Sequence, residues 1–257
     1  MKSQLSKDRN RVVLVTGGAI RIGAAIADEL AKAGWNVVVH AYGSGLAADT
    51  LCGRLRGYGV CAWRVTADLA HPHAAKGLFE EARMHAGRID ALVNNAALFS
   101  LMKELSEQER ERMLNVNTDV PIQLTCALFD HLRERQAQGS VVNLLDQRIA
   151  RVAMEAATPY EASKLLLAQA TVADARALAP VLRINAVAPG AVLSPTAVTE
   201  KEPAGRIPLG RRPTPADVAS AVRWLLESES ITGQTLYVDG GQHLLGDLQD
   251  QMNVFRL

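Results

Sequence analysis

The chain has 257 residues, 48% of them hydrophobic, and its 28 lysines and arginines are matched by 27 aspartates and glutamates. That balance gives no electrostatic handle for nucleic acid or an anionic membrane surface, and the length suffices for one large core. No apolar run reaches the roughly 18 residues needed to span a bilayer, and the opening MKSQLSKDRNR lacks the apolar centre of a secretory signal, so the expectation is a cytoplasmic protein without nucleic-acid or membrane partners.

Residues 12–15 (VVLV) read as a buried strand, and Thr16-Gly17-Gly18 turns the chain before an alanine-rich helix over 20–33 that ends at Gly34. Residues 36–41 (NVVVHA) form a second strand, followed by a helix over 45–56, a strand over 60–65 and a helix over 74–86. A strand over 89–94 stops at Asn94-Asn95-Ala96-Ala97, and a longer helical region over 103–136 leads to a strand over 140–145. A helix over 161–178, a strand over 181–187, a helix over 215–227 and a strand over 235–238 complete the series. This alternation predicts an α/β fold: right-handed βαβ units forming a single Rossmann-type, doubly wound parallel sheet of about seven strands, with helices on both faces, in one domain over 1–257. The segment 192–207, with Pro195 and Pro203, is too irregular for a core helix and is expected to form a lid over substrate. The tail 244–257, with Val254, Phe255 and Leu257, is expected to cover a neighbouring subunit or the lid.

Cys52, Cys61 and Cys126 are odd in number and scattered, so neither a disulfide framework nor a zinc site is expected, and they read as small buried or half-buried residues. The pair His71 and His73 around a proline reads as the start of a solvated helix rather than a metal site.

In a parallel sheet the ligand lies beyond the carboxyl ends of the strands. The singled-out residues all follow strands: the turn 16–23 after the first, Asp68 after the third, Asn94–Ala97 after the fourth, Asp146 after the fifth and Pro189-Gly190 after the sixth. A glycine turn that leads into a helix N-terminus offers unpaired backbone N–H groups and the positive end of a dipole to a pyrophosphate.

Thr16–Gly23 as T-G-x-x-x-x-x-G, Asp68-Leu69, N-N-A-A at Asn94–Ala97, Asn117, Tyr160-x-x-x-Lys164, N-A-V-A-P-G at Asn185–Gly190 and V-D-G-G at Val238–Gly241 together resemble the short-chain dehydrogenase/reductase superfamily over nearly the whole chain. Tyr160 and Lys164 stand at i and i+4 on a helix, and a nearby ammonium is expected to lower the tyrosine pKa toward the working range. The resemblance implies that Lys164 also binds nicotinamide ribose, that Asn117 supports a water-linked proton path and that the protein is a homotetramer. It further implies cofactor contacts from Gly17, Arg21, Ile22, His40, Tyr42, Ser44, Asp68, Leu69, Asn95, Ala96, Ala97, Tyr160, Lys164, Pro189, Gly190, Val192 and Ser194. The second strand ends in His40-Ala41-Tyr42-Gly43-Ser44, with no carboxylate to repel a 2′-phosphate. Arg21 and Ser44 can meet that phosphate, so NADPH is the expected cofactor.

Most members of the superfamily carry a serine where this chain has Asp146, and a carboxylate accepts but does not donate to a substrate carbonyl. Asp146 together with Arg21 and Phe99 resembles the pteridine reductases and bacterial dihydromonapterin or dihydrofolate reductase relatives, in which an aromatic residue stacks the flat pterin. Asp146 also reads as a turn or helix-cap carboxylate, and Phe99 as loop packing. Ala97 in place of a serine, Gly43 in place of a basic residue and a spacing of 14 (160 − 146) depart from that subgroup.

These residues predict an NADPH-dependent reduction of a C=N bond in a dihydropterin or related heterocycle. The catalytic set is Asp146, Tyr160, Lys164 and Asn117, with Arg21, Phe99, Asp146 and Tyr160 contacting substrate and no metal involved. The competing readings are a carbonyl reductase for a small ketone or 3-oxoacyl thioester, and an NADPH-binding sensor or scaffold.

Overall fold

A computed structural model describes residues 10–192 and 207–245. The lid and tail segments, with Ser194, Val254, Phe255 and Leu257, therefore lie almost wholly outside the described residues.

Seven parallel strands form one sheet in the order β3-β2-β1-β4-β5-β6-β7: β1 Val12–Val15, β2 Asn36–Ala41, β3 Ala62–Thr66, β4 Ala91–Asn94, β5 Gly139–Leu144, β6 Leu182–Pro189 and β7 Thr235–Val238. The helices are α1 Arg21–Lys32, α2 Gly45–Arg56, α3 Ala74–Ala86, α4 Glu107–Leu114, α5 Val120–Glu134, α6 Pro159–Ala177 and α7 Pro215–Glu227. Val13, Val15, Val37 and Val39 pack against the buried faces of α1, α2 and α7, and Leu14, Leu92 and Val141 face α3 and α5. Burial on both faces is why these strands are continuous apolar runs rather than alternating ones. The strand order reverses between β1 and β4, so a crevice opens there at the carboxyl ends.

Most expected elements are present, and the differences have local causes. β3 starts at Ala62 rather than Val60, because the Cys61 N–H is taken by the Asn36 side chain at 2.7 Å. β4 starts at Ala91, and the Ile89 N–H donates to the His131 ring at 3.2 Å. The single helical region expected over 103–136 divides into α4, a π-helical turn Asn115–Asp119 and α5, with Pro121 in the first turn of α5. Of the cysteines only Cys52 is buried; Cys61 at the head of edge strand β3 and Cys126 on the outer side of α5 are exposed, against expectation. His71 and His73 are exposed, and His73 opens α3 in a left-handed conformation, φ 64°.

At the opposite end of the sheet from the crevice, Asp90 is buried beneath two arginines. It accepts from the Val12 N–H at 2.9 Å, from Arg88 at 2.7 and 2.8 Å and from Arg135 at 3.1 Å. Removing this buried carboxylate leaves the Val12 N–H without its acceptor and takes from two half-buried arginines the anion they share. Asp90→Ala is therefore expected to lower the unfolding free energy by about 3 kcal/mol in urea titration, and a loss below about 1 kcal/mol would contradict this account of the cluster.

Candidate active site

The glycine turn is stapled to the end of β4. The Thr16 hydroxyl donates to the Val93 carbonyl at 3.3 Å and accepts from the N–H groups of Asn95 and Ala96 at 2.9 and 3.1 Å. The Asn95 amide returns two bonds, to the carbonyls of Thr16 and Gly17 at 2.9 and 3.0 Å. Gly17 has φ 59°, and a Cβ there would lie 3.0 Å from the Ala96 Cα; a Cβ on Gly23 would run into the Gly17 carbonyl oxygen. No side chain caps α1 and its first turn holds no acid, so its N–H groups and positive dipole end are left for an anion. Arg21 stands there exposed, at φ 54°, and half-buried Ile22 packs inward beside it. These features fit a dinucleotide phosphate.

His40 does not reach toward that anion. It is 2% exposed, accepts the Gly17 N–H on Nδ1 at 3.1 Å and donates from Nε2 to the Ala67 carbonyl at 3.1 Å. Burial lowers its pKa and keeps the ring neutral. With both nitrogens engaged it clamps the turn from beneath, so neither ring nitrogen is open to a ligand.

Tyr42 is exposed, and Ser44 begins α2 without using its hydroxyl as a cap. Beside them stands Arg64 of β3, missed by a reading confined to the residues after β2. Its Nη1 bonds Asp49 at 2.9 Å and lies 3.1 Å from where a Gly45 Cβ would be. Strand pairing places Arg64 opposite Val39, on the face that carries α2. Asp68 receives the Ala70 N–H at 3.0 Å, and buried Leu69 offers its carbonyl to Asn115 at 3.1 Å. Ala97 is exposed at the crevice. Gly190 follows Pro189, the last residue of β6, where a Cβ would meet Asp239 and Gln242; Gln242 also accepts the Ala191 N–H at 3.2 Å, next to half-buried Val192.

The reactive side chains meet at the end of β5. Asp146 caps a short 3-10 turn, Gln147–Ala150, with Oδ1 accepting the Arg148 N–H at 2.9 Å. Its Oδ2 accepts from the Tyr160 hydroxyl at 3.1 Å and from Arg148 Nη1 at 2.8 Å. Oδ1 thus fills the expected cap, and Oδ2 is set against the Tyr160 hydroxyl. Helix α6 is started by a capping box between Thr158 and Glu161, which sets Tyr160 in the first turn and Lys164 one turn later. The Phe99 ring stands edge-on to Tyr160, centroids 4.8 Å apart at 76°, and Phe99 remains 61% exposed, leaving apolar surface for a ligand.

Lys164 is buried, donates to the Leu144 carbonyl at 2.8 Å and lies 6.0 Å from the centre of the Tyr160 ring. Its burial lowers its pKa to about 8. Tyr160 behaves opposite to expectation: burial first, then the charge and hydrogen bond of Asp146, push its pKa well above the usual phenol range. The carboxylate touches the hydroxyl and the ammonium does not, so Tyr160 is held as a protonated donor.

Asn117 makes no hydrogen bond to Tyr160 or Lys164. Fully buried in the π-helical turn, it bonds both backbone groups of Leu98, at 2.8 and 2.9 Å, and the Ser163 hydroxyl at 3.0 Å. Ser163 in turn donates to the Tyr160 carbonyl at 2.6 Å. Asn117 therefore ties the loop that carries Phe99 to the helix that carries Tyr160. Arg148 and Ser163 were not singled out in the sequence; the Asp-x-Arg order after an apolar strand is the signal for the first, and nothing marks the second.

Residues 18–243 match the profile of the family described as enoyl-(acyl carrier protein) reductase. The FolM alternative dihydrofolate reductase 1 of Brucella suis, solved in complex with NADP, is 37% identical, with 93% of this chain and 98% of that chain covered and a TM-score of 0.84. Its counterpart from Brucella canis, also solved with NADP, is 36% identical over 96% and 99%, TM-score 0.85. The 3-oxoacyl-[acyl-carrier-protein] reductase FabG of Staphylococcus aureus is 30% identical, with 90% of this chain and 97% of that protein covered. With the Tyr160–Lys164 pair, the stapled glycine turn and these matches along its length, the chain belongs to the short-chain dehydrogenase/reductase superfamily and is an oxidoreductase.

Proposed function

We propose that this enzyme uses NADPH to reduce a C=N bond of a dihydropterin or dihydrofolate-like heterocycle. The observation that carries the reading is the 3.1 Å hydrogen bond from Tyr160 to Asp146 at the end of β5. A carboxylate there offers no donor to a ketone oxygen, whereas beside a tyrosine it forms a pair that supplies a proton to nitrogen. The FolM proteins of the two Brucella species, named as dihydrofolate reductases and solved with NADP, support both substrate class and cofactor.

The uncapped N-terminus of α1 with Arg21 would hold the pyrophosphate, and Ser44, Tyr42 and Arg64 would meet the 2′-phosphate. Gly17, Asp68, Leu69, Ala96, Ala97, Pro189, Gly190 and Val192 would meet the rest of the cofactor, with Asn95 acting through the turn it fixes. When bound, NADPH supplies the hydride that adds to the carbon of the C=N bond. Tyr160 gives its proton to the adjacent nitrogen, and Asp146, 14% exposed, lets solvent restore it. Lys164, 6.0 Å from the centre of the Tyr160 ring, would favour the negative charge growing on the phenol oxygen. Phe99 offers its exposed ring to the flat heterocycle. A cytoplasmic homotetramer belongs to the same reading; no helix among the described residues is long and apolar enough to cross a membrane.

Reduction of a 3-oxoacyl thioester is the second reading, favoured by FabG relatives. The two separate when purified enzyme is assayed for NADPH consumption with dihydrobiopterin, dihydromonapterin and dihydrofolate beside an acetoacetyl thioester. The proposal expects kcat/KM for a pterin to exceed that for the thioester at least about tenfold, and Asp146→Ser to lower pterin turnover by about 100-fold; preference for the thioester contradicts it.

The alkaline side of the rate profile follows the charge of Lys164. Lys164 is charged below about pH 8 and neutral above it, so its help to the departing proton is lost as pH rises. Pterin kcat/KM is expected to decline through about pH 8, and a profile flat to pH 9.5 or so would assign Lys164 no part in proton transfer.

A further inference from the structure

Arg148 reaches one carboxylate by two routes. Its backbone N–H holds Oδ1 of Asp146 at 2.9 Å, and its Nη1 holds Oδ2 at 2.8 Å. Oδ2 is also the atom that accepts the Tyr160 hydroxyl. The guanidinium carbon lies 5.6 Å from the centre of the Phe99 ring, which packs edge-on against Tyr160. The four side chains close a ring of contacts, and Arg148 is its cationic member.

A carboxylate held through one oxygen swings about its Cα–Cβ and Cβ–Cγ bonds, and the angle it offers a second partner changes with it. Held through both oxygens by one residue, it presents Oδ2 in one direction. There is also a charge argument. When Tyr160 loses its proton, a second negative oxygen develops 3.1 Å from Asp146, and like charges at that distance oppose the step. Lys164 is occupied on the Leu144 carbonyl, and Glu161 of α6 adds negative charge while engaged with Thr158. Arg148 alone among these cations hydrogen-bonds the pair.

We propose that Arg148 is a positioning residue for the proton-donating pair, fixing Asp146 Oδ2 on the Tyr160 hydroxyl and offsetting the charge that grows as the proton leaves. Its charge also works against the upward shift that Asp146 and burial impose on Tyr160. The positioning role concerns the pair itself; only the choice of assay substrate rests on the pterin reading.

Arg148→Gln removes the charge while keeping the backbone N–H that caps Oδ1, and Arg148→Lys keeps the charge. The first readout needs no substrate: in protein labelled with ¹³Cζ-tyrosine, four resonances are expected from the four tyrosines, with Tyr160 assigned by Tyr160→Phe. The Tyr160 signal is expected to move in Arg148→Gln and to move less in Arg148→Lys, the other three staying in place. With NADPH and dihydrobiopterin, kcat of Arg148→Gln is expected to fall by about 30-fold with KM and the NADPH Kd changed less than about threefold, and Arg148→Lys to recover most of the loss. An unmoved Tyr160 resonance overturns the proposal, as does a rise in KM with kcat intact, which would make Arg148 a substrate ligand. A moved resonance in an enzyme whose wild type turns over no pterin upholds the positioning role and refutes the pterin assignment.

Discussion

One carboxylate, Asp146, accepts three hydrogen bonds at the end of β5, and the chemistry of the crevice follows from how they are divided. Oδ1 terminates the strand by capping the 3-10 turn, and Oδ2 faces the hydroxyl of Tyr160. The cap on Oδ1 sets the direction of the oxygen that meets Tyr160, so the turn and the pair cannot be changed separately at this residue. The consequence is a tyrosine whose proton is held firmly, with its pKa raised rather than lowered. Such a group serves a strongly basic acceptor, as a nitrogen becomes after hydride addition, better than it serves a ketone oxygen that needs a polarising donor beforehand.

The cofactor side rests on a different economy of side chains. His40 and Asn95 read as cofactor contacts in the sequence, and both, together with Thr16, are engaged in shaping the backbone of the turn. A turn with Gly17 at φ 59° and no room for a Cβ at Gly23 needs that external support. Backbone N–H at the start of α1 and exposed Arg21 are left open, and Arg64 stands beside α2 paired with Asp49.

The fold was legible because burial on both faces of a parallel sheet leaves a strong pattern, apolar runs such as Val12–Val15 separated by helices of ordinary length. β1, β2, α2, α3, α7 and β7 coincide residue for residue with their expected ranges. The π-helical turn at Asn115–Asp119 was not legible, since its one extra residue per turn serves a tertiary contact, Asn117 to Leu98 and Ser163, that no local pattern announces. Asp146, Tyr160 and Phe99 were legible as members of one site, and the structure brings them into contact. The direction of the Tyr160 shift was not, because spacing along α6 reveals Lys164 but not that Asp146 is closer. Arg64 was hidden for a similar reason: its position depends on the β2–β3 register.

The central claim is that the Tyr160–Asp146 pair serves hydride addition to a C=N bond, and isotope tracing tests it most directly. Enzyme supplied with NADPH deuterated at the transferable position of C4 and with dihydrobiopterin should yield tetrahydropterin carrying one deuteron on the carbon of the reduced bond, with the nitrogen proton drawn from solvent. Deuterium absent from pterin but present at the hydroxyl-bearing carbon of a reduced 3-oxoacyl thioester would show that the site is a carbonyl reductase and that Asp146 serves it only as a cap.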